Sequence, residues 1–205
     1  LKAYEQGLFH VQDLSSQMCC MALEAKPGER VLDLCSAPGG KTFTLAQIMR
    51  NKGEVVAGDL YEHKIKLVQD GAKRLGLTMI QAEVHDAQEF CEKWGLFDRV
   101  LCDVPCSGLG ILRRKPEIRY KNVVNLDRLP DLQYRILCQG ARYLKEGGRL
   151  IYSTCTLNPE ENNRIAARFL AEQEEFEPLP LFPKLSRLVE EEPNCLTLFP
   201  KMMNS

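Results

Sequence analysis

The 205-residue sequence has no apolar run near the roughly 18 residues that a membrane helix needs, which argues against a spanning protein. No signal-peptide pattern precedes its first polar residues. No Cys-x-x-Cys pair occurs, and the three histidines, His10, His63 and His85, are not spaced as zinc ligands, so no metal is expected. Neither sign of charge is in excess. With 27 Lys and Arg against 28 Asp and Glu, the net charge of −1 excludes a generic polyanion binder. Nucleic acid would have to be met by a local basic patch. Internal repeats and low-complexity segments are also missing, which excludes a repeat array.

What is present fits one globular domain with a normal core: 44% of residues are hydrophobic and 27% charged. The chain opens on Leu1 and closes on "KMMNS", and it reads as a fragment of something longer, truncated at its C-terminal end. Its nine cysteines are odd in number and scattered, with Cys19 and Cys20 adjacent, which fits a reducing, cytoplasmic setting. Most are expected to be small buried apolar residues.

Hydrophobic spacing alternates regularly along the chain. Residues 1–28 form a lead-in segment. In it Asp13 is placed to cap a helix over 14–25, with Leu14, Met18, Met21 and Ala25 on one face. From 29 to 205 the pattern is that of one α/β domain. "ERVLDL" (29–34) reads as a buried strand and is followed by a Gly-rich turn and a helix from Thr42 to Arg50. "GEVVAGDL" ends a second strand at Asp59. A helix over 62–75 follows, with Ile65, Val68, Ala72 and Leu75 inward. "TMIQAEVHDA" gives a third strand ending near Asp86, and "FDRVLCDV" a fourth ending at Asp103. A helix over 129–145 stops at Gly147-Gly148, and "GRLIYST" is a fifth strand. Asn158, Pro159 and Glu161 together read as a capping box that opens a last helix. Such alternation predicts a mostly parallel, twisted sheet with helices on both faces, whose ligands bind beyond the carboxyl ends of the strands. Those ends carry Cys35 to Lys41, Asp59, Asp86, Asp103 to Cys106, and Ser153 to Thr156.

The turn "LDLCSAPGGKT" (32–42) has glycines that let a ligand approach the backbone, and a helix start that offers free N–H groups. It lacks the G-x-G-x-x-G of a dinucleotide site. "GKT" at 40–42 matches the end of a P-loop, but the required first glycine falls on Cys35. S-adenosylmethionine is the third candidate ligand, and a tight turn without ligand is the plain alternative. Asp59, about 20 residues past the turn, suits the two ribose hydroxyls of a nucleoside, or else caps a helix. Asp86 can reach an adenine amino group or cap a helix over "AQEFCEKW". Cys106, on the stiff "DVPCSG" turn, and Cys155, in "STCT", stand at two strand ends, with Asp103 near the first in sequence. A helix start after Cys155 favours a thiolate, as would Lys41 if it reached the site. These features leave the two thiols unranked. "ILRRKPEIRYK" (111–121) gathers Arg113, Arg114, Lys115, Arg119 and Lys121 around Tyr120. It is either a solvated surface loop or a contact for RNA phosphates and bases.

Four of these segments, "VLDLCSAPGGKT", "DVPCSGLG", "RRKPEIRY" and "YSTCTLNPEENN", resemble those of the Sun/Fmu-type RNA cytosine-5 methyltransferases, most nearly their bacterial 16S ribosomal RNA branch. The likeness runs from about Gly7 to Pro200 and takes in "FHVQDLSSQ" and the late "TLFP". Cys35-Ser36 stand where the family commonly has alanines, and Val104 where alanine is usual. The resemblance implies a Rossmann-like class I methyltransferase fold for 29–205, S-adenosyl-L-methionine as cofactor and ribosomal RNA as partner. It implies that Cys35, Ser36, Ala37, Pro38, Gly39, Gly40 and Lys41 hold the cofactor, with Asp59, Asp86 and Asp103 completing its pocket. It makes the cysteine at 155 the nucleophile and the one at 106 the residue that helps release product. It also implies an N-terminal RNA-binding domain that this chain lacks. The chemistry then follows: a thiolate added at carbon 6 of cytosine makes carbon 5 nucleophilic enough to take a methyl group.

Overall fold

A computed structural model of the chain describes residues 1–120, 127–182 and 195–198. It divides into two compact units. The first comprises 1–104 and 136–153, the second 105–135 and 154–205.

The first unit is built on one five-stranded parallel sheet in the order β3-β2-β1-β4-β5. The strands are β1 Arg30–Asp33, β2 Glu54–Asp59, β3 Ile80–Val84, β4 Phe97–Asp103 and β5 Leu144–Ser153. The register pairs Asp33 with Ala57 and with Leu101, and Asp103 with Ser153, so the acidic strand ends fall along one edge of the sheet. The helices are the short α1 (Lys2–Glu5), α2 (Leu14–Ala22), α3 (Gly40–Ile48) and α4 (Glu62–Arg74). α5 (Leu129–Arg142) starts in the second unit and ends in the first.

Central strand residues are apolar because both faces of a parallel sheet are covered. Val31, Leu32, Val55, Val100 and Leu101 are all buried. Against Val31, Val55 and Leu101 pack Leu45, Ala46 and Met49 of the α3 segment and Val68 and Ala72 of α4. Each large side chain removed from water contributes roughly 1.5–3 kcal/mol. The Phe43 ring occupies space that only glycine leaves: a Cβ on Gly39 or on Gly71 would each come within 2.3 Å of it. Gly140 serves α5 in the same way, since a Cβ there would lie 2.4 Å from the Cys102 Sγ.

The second unit holds a 3₁₀ turn at Pro116–Tyr120, the start of α5, a 3₁₀ turn at Pro159–Glu161, and α6 (Asn163–Glu172). Tyr134 donates to Glu172 at 2.5 Å, and the Arg168 guanidinium lies 3.7 Å over the Tyr134 ring, which pins α6 to the first turns of α5.

The doubly covered parallel sheet agrees with the sequence expectation, and four local expectations need correction. α5 ends at Arg142, and β5 already begins at Leu144, which pairs with Phe97, and runs through the Gly147-Gly148 expected to stop the helix. α2 stops at Ala22, and it buries Cys20 and Ala22 while Leu14 and Met21 are exposed. The chain turns at Glu24, which has φ 51°, and sends Leu23 and Ala25 inward. No α-helix forms over 87–94. Only a 3₁₀ turn at Glu92–Trp94 is present, and Asp86 caps a turn, accepting from the Gln88 N–H at 2.9 Å. Finally, Asn158 caps a single 3₁₀ turn before α6 begins. The Glu161 side chain does not return to the Asn158 backbone, whose N–H goes to the Thr156 hydroxyl instead.

Candidate active site

In the first unit, the turn after β1 is tied to β2 by Ser36, whose N–H and hydroxyl both donate to the Gly58 carbonyl at 2.8 and 3.0 Å. The Ala37–Pro38 peptide is cis, and Gly39 has φ +106°, a conformation open to glycine. α3 then starts at Gly40 with no side-chain cap, so its first N–H groups face outward from the turn. Asp59 is buried at the end of β2. It accepts from the Tyr61 N–H at 3.3 Å and stands 3.4 Å from Lys64. Asp86 lies two residues past β3.

Lys41 and Asp103 form an ion pair at 2.7 Å, and the Ser153 hydroxyl donates to the other Asp103 oxygen, also at 2.7 Å. Burial opposes charge on Lys41, but the adjacent Asp103 carboxylate outweighs it and holds the ammonium above its ordinary range. The two residues sit on neighbouring elements because β1 and β4 are paired directly. The residues present suit an adenosyl group with a charged tail: a Gly turn without side-chain bulk, a helix start without a cap, and a buried acid at the end of the next strand. Among the described residues no group of His, Cys, Asp and Glu could hold a metal ion.

In the second unit, the Cys106 and Cys155 sulfurs are 3.2 Å apart, and the Cys155 N–H donates to the Cys106 sulfur at 3.3 Å. Of the nine cysteines, Cys155 is the exposed one. The hydrogen bond to Cys155, with burial, pushes the Cys106 thiol far up, so it is protonated at neutral pH. Elsewhere burial pushes Cys19 up to about 11 and raises Cys20, Cys35 and Cys102 well above their ordinary value, as packing thiols require. The Cys106 turn is locked by Gly108, at φ +76°, where a Cβ would meet Ile118 at 2.9 Å. Ile118 is buried and anchors the basic segment, leaving Arg113, Arg114, Lys115, Arg119 and Tyr120 exposed, Tyr120 at 88%. Lys121 lies outside the described residues.

Several residues to which the sequence reading gave no role at the thiols or at Asp103 hold these pieces. Ser153 orients Asp103. Ser107, Gln133, Thr156 and Glu161 are buried around the two cysteine turns. Their only sequence signal was a polar type inside a motif, which does not distinguish burial from exposure.

Asp33 is the other omission. It is fully buried at the end of β1, with the Thr42 hydroxyl on one oxygen at 2.7 Å and no partner on the other among the described residues. Burial raises its carboxyl to about 7. The folded state therefore keeps a proton that the unfolded chain releases near pH 4, and stability falls as pH rises from about 4 to 7. In urea titrations at pH 5 and pH 8, Asp33→Asn is expected to remove this loss, a difference of about 2–4 kcal/mol from the wild-type pH dependence. Equal pH dependence in both proteins would show that Asp33 ionises normally.

The parallel five-stranded sheet, the Gly turn and the acidic strand ends define the class: a Rossmann-like, S-adenosylmethionine-dependent methyltransferase domain. Within that class the chain belongs to the 16S rRNA methyltransferase RsmB/F family, whose model matches residues 20–205. It is 45% identical over 178 residues to the probable ribosomal RNA small subunit methyltransferase B of Bacillus subtilis, covering 85% of this chain and 40% of that protein. To the ribosomal RNA small subunit methyltransferase B of Klebsiella pneumoniae it is 41% identical over 176 residues, 83% of this chain and 40% of that one. The chain thus spans about two fifths of the length of these curated relatives. Among solved structures it resembles NSun6 from Pyrococcus horikoshii with SFG, at TM-score 0.78 and 32% identity over 84% of this chain and 44% of that one. It also resembles a methyltransferase homolog protein from the same organism, at TM-score 0.76 and 36% identity over 89% of this chain and 57% of the other.

Proposed function

We propose that this chain is the catalytic part of an enzyme that methylates carbon 5 of a cytosine in small-subunit ribosomal RNA. The observation that carries the reading is the thiol pair of Cys106 and Cys155 at 3.2 Å, one partly buried and the other exposed. Neither a nucleotide hydrolase nor a simple binding domain requires such a pair. Family membership supports the RNA substrate, and the relatives named above are ribosomal RNA methyltransferases. The setting that suits reduced thiols is the cytoplasm. No helix among the described residues is long and apolar enough to cross a membrane.

Cys35 to Lys41, Asp59 and Asp86 would hold S-adenosylmethionine, with Asp59 on the ribose hydroxyls. When bound, it supplies an electrophilic methyl group. Cys155 adds its sulfur to carbon 6 of the splayed-out cytosine, and the displaced electron pair makes carbon 5 nucleophilic. After methylation a base takes the carbon-5 proton, the 5,6 double bond re-forms, and the Cys155 sulfur leaves as a thiolate. The protonated Cys106 donates to that returning charge, which is how it assists release. Asp103, fixed from both sides by Lys41 and Ser153, is assigned to the polar edge of the ring.

The basic segment is assigned to the RNA backbone, with Tyr120 as a stacking platform. Replacing Arg113, Arg114 and Lys115 together by alanine in the full-length protein is expected to weaken RNA binding across sequences. It should also flatten the slope of log affinity against log salt by about 2. An unchanged slope would remove the segment from the interface. The overall reading is tested by calorimetry with S-adenosylhomocysteine and ATP, followed by methyl transfer to 16S ribosomal RNA mapped by position. Binding of ATP in place of S-adenosylhomocysteine, or binding without methyl transfer by the full-length protein, would refute it.

A further inference from the structure

The ladder of β4 and β5 ends at Asp103 and Ser153, and past it the Gly110 N–H donates to the Cys155 carbonyl at 3.0 Å, but neither contact reaches the Cys106 side of the thiol pair. What lies behind the two cysteine turns is a buried carboxylate. Glu161 is 1% exposed and comes from the 3₁₀ turn that follows Cys155. Its Oε2 accepts from the Ser107 N–H, next to Cys106, at 2.8 Å, and from the Gln133 Nε2 at 2.9 Å. The same Gln133 nitrogen donates to the Pro105 carbonyl, on the other side of Cys106, at 3.0 Å. The Glu161 Oε1 accepts from the Asn158 Nδ2 at 3.1 Å, which holds the Cys155 side. Ser107 and Thr156 hydroxyls, 2.7 Å apart, complete the join between the turns.

We propose that Glu161 is the positioning residue of the thiol pair: its carboxylate clamps the Cys106 turn to the Cys155 turn and so fixes the distance between the two sulfurs. A carboxylate suits the task because it accepts from several donors at once, and each such bond is charge-assisted. The hydrogen bonds from Ser107, Gln133 and Asn158 outweigh burial and keep the Glu161 carboxyl below its usual range, so the clamp stays ionised at neutral pH. A helix cap, the role its sequence position suggested, would have left it at the surface. Glu161 acts through the backbone on both sides of Cys106.

The clamp rests on the proposed thiol chemistry for its purpose, but its geometry is testable without it. In the full-length protein, hydrogen peroxide is expected to join Cys106 and Cys155: both thiols lose hydrogen, one S–S bond forms, and the peroxide is reduced to two waters. Peptide mapping gives the rate of that crosslink. Glu161→Ala is expected to slow it at least about 10-fold, because three donors lose their acceptor and the turns part. Glu161→Gln, which keeps one acceptor oxygen, should restore most of the rate. S-adenosylhomocysteine affinity, read by calorimetry, should be unchanged and shows that the variants are folded. Should Glu161→Ala fail to fold, Gln133→Met removes one bridge with an unbranched side chain of similar length and is expected to slow the crosslink several-fold. A wild-type crosslinking rate in folded Glu161→Ala, or in Gln133→Met where Glu161→Ala does not fold, overturns the proposal. In methyl-transfer assays with ribosomal RNA, the clamp variant should lower kcat with KM nearly unchanged. If the crosslink is slowed and no variant or wild-type protein methylates RNA, the clamp stands and the assigned reaction fails.

Discussion

Cys155→Ser in the full-length protein is expected to abolish methyl transfer, by at least about 10³-fold, because a serine hydroxyl is far less nucleophilic than a thiolate toward carbon 6. Cys106→Ala is expected to fail differently. Attack and methylation proceed, but the Cys155 sulfur must then leave without a donor to receive its charge, and a covalent protein–RNA complex accumulates. On a denaturing gel with radiolabelled RNA, the first variant gives no adduct and the second gives a persistent one. S-adenosylhomocysteine affinity should stay unchanged in both, since the residues proposed to hold the cofactor belong to the first unit. Exposure favours the same ranking, because Cys155 is open to solvent while Cys106 is partly buried and protonated. The reverse outcome, an active Cys155→Ser and an inactive, adduct-free Cys106→Ala, would exchange the two roles.

That ranking shows where sequence reasoning reached and where it stopped. The strand ends were legible because a parallel sheet writes itself as apolar runs closed by polar residues, as in "VLDLC" and "VLCDV". Asp59 and the Gly turn followed from spacing alone. Residue types alone could not order the two cysteines, because burial and hydrogen bonding separate them and neither is written in residue type; the family resemblance supplied the order. Two of the failed expectations share one cause. Over 87–94 the residues Glu89, Cys91 and Trp94 meet Tyr143 and the third strand: the Cys91 N–H goes to the Tyr143 hydroxyl at 2.7 Å and the Trp94 Nε1 to Glu83 at 3.2 Å. Those tertiary bonds replace helical ones. Glu161 likewise left the capping box its spacing predicted, because Ser107 and Gln133, far off in sequence, compete for it. Periodicity reports local preference, and these segments are decided by partners at a distance.

The cofactor site gives the second large effect. Asp59→Ala is expected to weaken S-adenosylhomocysteine binding by about 10²–10³-fold, since a carboxylate that accepts from two ribose hydroxyls forms two charge-assisted bonds of roughly 1.5–3 kcal/mol each. Its present partners contribute modestly to stability. Lys64 is 3.4 Å away with a side chain 40% exposed, and the Tyr61 N–H at 3.3 Å loses its acceptor, so a loss of about 1–2 kcal/mol should accompany the much larger loss of affinity. Gly39→Ala makes the contrasting case. A Cβ there needs φ +106°, which alanine resists, and would sit 2.3 Å from the tip of the Phe43 ring, the same atoms that a Cβ on Gly71 would meet. That variant should lose affinity and about 2–4 kcal/mol of stability together. Because the Phe43 ring is the obstacle, Phe43→Leu in the Gly39→Ala background should recover part of the affinity while remaining less stable than wild type. Calorimetric titration and thermal melts on the four proteins separate the two causes. Loss of affinity in Gly39→Ala that Phe43→Leu does not relieve would mean that the Gly39 backbone conformation, rather than crowding against the ring, shapes the turn for its ligand. An Asp59→Ala protein that binds S-adenosylhomocysteine as tightly as wild type would take the ribose away from β2 altogether.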